Sequence, residues 1–234
     1  LKARINQMLQ QIFTSQEVGP VRPMTSRMIH ADFEKALDRF YQLAHAKKLA
    51  IEELDPGSPD EMKRREKNRT NPRTNETSKL ANDYRLLVLN FKSIHRSEIE
   101  QYRQLAISRT ELSLKGDGTT LNLLETALDG IYWYELQFPV KITRAYLGAA
   151  EESPETSDSL QRDWNGSAKV ALLCIETSFV AWAMLLTMLP ELEAICLQAM
   201  QVLDRIRKRL QTDFPDWNRF VRPGFDKLAT IQTK

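Results

Sequence analysis

The sequence predicts an all-α fold, an up-and-down bundle of five or six long helices with a four-helix core and flanking helices. Three observations carry that expectation. Apolar residues recur at spacings of three and four through almost the whole chain, the period of one helix face. Glycine and proline number only 8 and 10, fewer than a turn-rich β fold requires. No stretch alternates as a half-buried strand does, and no unit of about 20–50 residues repeats as in a solenoid.

Each element follows in order. Leu1, Ile5, Met8, Leu9, Ile12 and Phe13 mark a first apolar face, and Gly19, Pro20 and Pro23 end it in a turn. A second helix begins near Ser26 and carries Ile29, Phe33, Leu37, Phe40, Ala44, Ile51 and Leu54. This is close to a heptad seam, so a partner helix is expected alongside. Asp55, Pro56, Gly57 and Pro59 stop it. Residues 60–78 hold Met62 as their one apolar residue besides prolines. Such a segment buries too little surface to offset its ordering entropy, and a mobile charged loop is expected at 55–79.

A third helix is expected over 79–114, with Leu80, Tyr84, Leu87, Phe91 and Ile94 in phase. Ile99, Tyr102, Leu105 and Leu112 follow after a phase slip. Gly116 and Gly118 give the stop signal. A fourth helix starts near Thr120 or Asn122 and carries Leu124, Ala127, Leu128, Ile131, Tyr132 and Tyr134. Pro139 should kink or break it, because it lacks a backbone donor and crowds the preceding turn. An acidic loop is expected at 148–159. The fifth helix, at 159–189, is the most apolar. Its Asn165-Gly166-Ser167 stretch weakens a helix, by about 1 kcal/mol at the glycine alone. Either the helix starts at Ser167 or a close backbone contact requires Gly166. Pro190 is well placed to open a sixth helix. The aromatic tail, with Phe214, Trp217, Phe220 and Phe225, is expected to fold back in short helical turns. The expectation is a single domain over 1–234. Its core is drawn from the helices at 26–54, 79–114, 120–146 and 159–189, with those at 1–13 and 190–210 alongside.

Composition narrows the function classes. With 33 Lys and Arg against 31 Asp and Glu, the net charge of +2 makes no demand for nucleic acid. The basic run Lys63-Arg64-Arg65 is diluted by neighbouring acids, and Arg207-Lys208-Arg209 ends a helix, where cations are favoured anyway. Cys174 and Cys196 lie in apolar runs and are expected to be reduced and buried. The segment 168–189 holds only Lys169 and Glu176 as charges and is long enough for a span, which takes about 20 residues. No juxtamembrane Lys/Arg cluster accompanies it, so a buried core helix rather than a membrane span is expected. No basic-then-apolar leader opens the sequence, and a cytoplasmic chain is expected.

No catalytic constellation emerges. His30 with Glu34, and His95 with Glu98, place an imidazole and a carboxylate on one helix face. Their order is the reverse of the Glu-x-x-His of bundle di-iron sites, so surface ion pairs are expected, with no metal and no cofactor. There is no Gly-x-Ser-x-Gly elbow, and Gly116-Asp117-Gly118 reads as a helix-to-helix turn. The sequons at Asn68, Asn75 and Asn165 are read as chance.

One stripe stands out. Lys169, Glu176, Val180, Ala183 and Thr187 share a face of the apolar helix. It is either the wet edge of a buried helix or a close helix contact in which Glu176 is paired. Arg144, Lys141 and Arg85 are the candidate partners in such a buried ion pair. The functional expectation is a non-enzymatic bundle acting through contacts with another protein or with itself. The alternative is a ligand-binding or enzymatic bundle with a pocket between helices. A nucleic-acid-associated helical protein is a weaker third.

Overall fold

The computed structural model describes residues 26–51, 75–112, 119–151, 159–222 and 226. Among them are six α-helices and no strand: α1 (Ser26–Ala46), α2 (Glu76–Ile94), α3 (Arg96–Leu112), α4 (Thr119–Glu151), α5 (Asp163–Met188) and α6 (Glu193–Asp213). Short 3₁₀ turns lie at Ser159–Gln161, Pro190–Leu192 and Trp217–Arg219. The chain is an all-α helical bundle. The apolar face expected at 1–13 lies outside the described residues.

The helix ends follow local chemistry. α1 stops at Ala46, short of Leu54. Lys48 takes a left-handed conformation (φ 54°), and the Leu49 amide donates back to the Ala44 carbonyl at 2.9 Å, satisfying a carbonyl at the helix end. Asn75 caps α2, its Oδ1 accepting from the amides of Thr77 (2.8 Å) and Ser78 (3.2 Å). The cap places the last residues of the expected 55–79 loop in a helix; residues 55–74 lie outside the described residues. The helix expected over 79–114 is two helices that meet at His95, where the apolar phase slips. α4 runs unbroken through Pro139 to Glu151. Phe138 and Ile142, fully buried beside that proline, hold the two halves in one line. Of the expected acidic loop, residues 152–158 lie outside the described residues.

α5 is the most enclosed helix, buried on most of its circumference, as a predominantly apolar helix is. It packs against α4, α6 and α1. It approaches α4 closely at Gly130, where an added Cβ would meet the Ala181 Cβ at 2.8 Å, and Ser178 Oγ donates to the Gly130 carbonyl there. α2 closes a four-helix ring against α4 and α6. In its interior Trp182 Nε1 donates to the Tyr84 hydroxyl at 2.9 Å. Arg209 forks onto Glu76 at 2.7 and 3.1 Å, and the Tyr146 hydroxyl bridges Asp213 (2.5 Å) and Thr77 (3.1 Å). The core ring is therefore α2, α4, α5 and α6, with α1 flanking. This exchanges the expected places of α1 and α6. The reason is that α6 buries residues from Cys196 to Leu210 against both α5 and α2. α1 inserts Phe33 and Phe40 edge-on around Phe179 of α5, at centroid distances of 5.2 and 5.5 Å.

Gly166 is explained by contact. The helix is already formed at Asp163, and a Cβ on Gly166 would lie 2.6 Å from the ring of Phe220. The tail folds across this point through a buried polar anchor: Lys169 donates to the Phe220 carbonyl and pairs with Asp226 at 2.7 Å. α5 is long and apolar enough to cross a membrane but is mostly buried in the bundle. Asn75 and Asn165 are buried, which removes two of the three sequons as exposed acceptors; Asn68 lies outside the described residues.

Candidate functional site

Glu176 is 1% exposed and faces α1 and α6. Oε1 lies 3.3 Å from Nδ1 of His30, and Oε2 is buried without a hydrogen-bond partner. Burial pushes its carboxyl above the usual carboxylate range, while His30 and Arg207 pull it back. The three cations expected opposite it lie elsewhere. Arg144 forks onto Asp163 at 2.8 and 2.9 Å. Lys141 is half-buried on α4, where its charge acts on Cys174. Arg85 is exposed on α2 and makes no ion pair among the described residues. Burial pushes both thiols, Cys174 and Cys196, up to about 12. No group of three or more His, Cys, Asp or Glu side chains among the described residues is placed to hold a metal ion.

Arg85 and Arg144 do come together, in a groove between α2 and α4. The two helices run antiparallel, since Tyr84 meets Phe138 and Phe91 meets Tyr132. Beneath the surface they are tied by Lys92, which pairs with the buried Glu135 at 3.0 Å and sits over the Tyr132 ring at 4.3 Å. Between the two helices, past this tie, lies a groove of about 690 Å³. Leu136, Pro139, Val140 and Leu147 make its apolar surface, with Arg85 and the Arg144–Asp163 pair at its rims.

The apolar surface extends past the groove. Trp133 is 67% exposed, Val140 65% and Leu86 58%, with Leu89, Leu136 and Leu147 between 40% and 52%. Along α4 the residues 133, 136, 140 and 147 are separated by three, four and seven, a second apolar stripe beside the buried one. Scattered exposed apolar side chains are ordinary on a protein surface; these four lie on one face of α4.

Neither this stripe nor His30 as the partner of Glu176 is legible in the residue spacing. The stripe has a sequence signal, a helix with apolar residues on more than half its circumference. The His30 contact joins residues 146 positions apart and has none. Compared with known proteins, the chain matches no family model, no curated protein and no solved structure.

Proposed function

We propose that this chain is a docking bundle that receives an amphipathic helix of another protein in the groove between α2 and α4. The observation that carries the reading is the exposed apolar stripe Trp133–Leu136–Val140–Leu147 beside the groove, with Leu86 and Leu89 exposed on α2. Both walls are helices whose backbone groups are already paired, so an extended peptide finds no edge to extend. A helix presenting apolar residues at three-and-four spacing fits a groove built at the same spacing. The stripe from Trp133 to Leu147 is about 21 Å long at 1.5 Å per residue, four turns of partner helix. The groove, lined on α4 from Leu136 to Gly148, is open to solvent rather than enclosed, which suits a rod-shaped occupant better than a compact ligand, whose site usually encloses it.

Trp133 supplies the test. A designed leucine-stripe peptide about five turns long is titrated into the full chain, with Trp133→Phe as the blank. The expected result is a blue shift of Trp133 emission and reduced acrylamide quenching, both lost in Val140→Asp, whose thermal melt stays near that of the parent. A peptide that leaves Trp133 as accessible as before overturns the reading. So does undiminished binding to Val140→Asp. Concentration-dependent sedimentation of the chain alone, abolished by Val140→Asp, assigns the stripe to a second copy and also overturns it.

A further inference from the structure

We infer that the helix received by this groove carries a carboxylate on the flank that faces α2, held by Arg85. The inference rests on the docking reading above and adds the chemistry of the partner. Arg85 stands on the groove wall level with Pro139 and Val140, exposed and without an ion pair or hydrogen bond among the described residues. The other cations around the groove differ. Arg144 on the opposite rim is already forked onto Asp163, which neutralises it and fixes its planar donor face. Lys92 lies below the surface, half-buried and occupied by Glu135. The uncommitted charge on the groove wall is therefore a guanidinium, bordered on α2 by the exposed Leu86 and Leu89.

A guanidinium in that setting selects for a planar anion. Its five donors form a rigid fork that matches a carboxylate in two parallel hydrogen bonds, and an ammonium offered by the partner would meet only repulsion. Docking an apolar stripe over Leu136 and Val140 also strips water from the Arg85 rim. A partner that leaves this cation unpaired loses solvation with no return, so the same residue rejects neutral and basic helices as it accepts acidic ones. Asp83, exposed two positions before Arg85 on α2, projects from nearly the opposite side of that helix, and Asp129 is exposed one turn before Trp133 on α4. At 1.5 Å per residue Asp129 lies about 16 Å along the axis from Val140, beyond the screening length at physiological salt, and does not offset Arg85.

The experiment uses the full chain and two labelled leucine-stripe peptides that differ only in Glu or Lys at the flank position facing Arg85. Binding is followed by fluorescence anisotropy. The Glu peptide is expected to bind about tenfold more tightly than the Lys peptide, with the preference shrinking as salt rises. Arg85→Glu should reverse the preference, and its melt should match the parent because the side chain touches nothing that holds the fold. Equal binding of the two peptides overturns the inference, as does a preference that survives Arg85→Glu. In either case the docking reading stands so long as Val140→Asp abolishes binding of both. Failure of both peptides to bind the parent chain overturns the docking reading, and this inference with it.

Discussion

Removing the buried half of the Glu176–His30 contact should cost less than removing the exposed half. The Glu176 carboxylate is almost wholly buried, whereas the His30 side chain is 51% exposed. Glu176→Gln leaves a half-solvated imidazole, which water satisfies, and removes a charge that the apolar seam disfavours. Its stability should stay within about 1 kcal/mol of the parent. His30→Ala instead leaves a buried carboxylate whose Oε2 already has no partner. The neighbouring charges are Glu34 on α1, which repels, and Arg207 on α6, which attracts but is engaged with Asp204 at 3.0 Å. Breaking a buried pair this way typically costs about 3–5 kcal/mol. Here a proton limits the loss. A carboxyl with an unfolded value near 4.3 can be protonated at pH 7 for 1.36 × (7 − 4.3), or about 3.7 kcal/mol. With Arg207 still attracting and water entering where the imidazole stood, the expected cost is about 2–3 kcal/mol at pH 7. The sign of the pH dependence follows. Burial raises the folded value of Glu176, so the fold prefers the protonated form. Its stabilising contribution is fully present below the unfolded value and is lost as pH rises through the folded one. His30→Ala should therefore cost under about 1 kcal/mol near pH 4, and the pH-dependent excess should vanish in His30→Ala/Glu176→Gln. Urea midpoints of the four proteins at both pH values measure this. A His30→Ala cost that is equal at the two pH values, or unchanged in the Glu176→Gln background, would refute the reasoning.

Two further outcomes test the packing. Gly166→Ala adds a methyl 2.6 Å from the Phe220 ring. The clash, typically about 1–3 kcal/mol, should outweigh the helix gain of about 1 kcal/mol, lowering the melting temperature and exposing the tail to trypsin at Arg219 and Arg222; a rise in melting temperature contradicts the contact. Cys174 and Cys196 are buried, and their thiols are pushed up to about 12. Both should react with a thiol reagent at pH 8 only after denaturation, and rapid native labelling of either would show an opening at that helix.

Much of the bundle is legible in spacing. Phe33, Phe40, Tyr84, Phe91, Ile131 and Leu203 are all read as buried from their periodicity and all are. The phase slip after Ile94 coincides with the break at His95, because a stripe that changes phase cannot face one neighbour along one straight helix. Pro139 is different. The local rule predicts a break, but buried neighbours on both sides outweigh one lost hydrogen bond. The partner of Glu176 is also beyond local reading. Arg144 and Lys141 lie on α4, which meets α5 at Ala181 and Ser178. Five positions on a helix are about 140° of rotation, so Glu176 points away from α4 and toward α1.

The sequence by itself determined that the chain is helical, which segments carry the buried faces, and that the thiols and the apolar helix belong to the interior. These depend on residue type and on periods of a few residues, and both are local properties. Only the tertiary structure decided which apolar stripe stays uncovered. Residues 131, 135, 138 and 142 are covered because α2 and α5 lie over them, while 133, 136, 140 and 147 on the same helix are not. Both stripes have helical spacing. What separates them is the placement of neighbouring helices, a sum of contacts between residues distant in the chain. The same placement brings Arg85 and Arg144 to one groove and sends Glu176 to another seam.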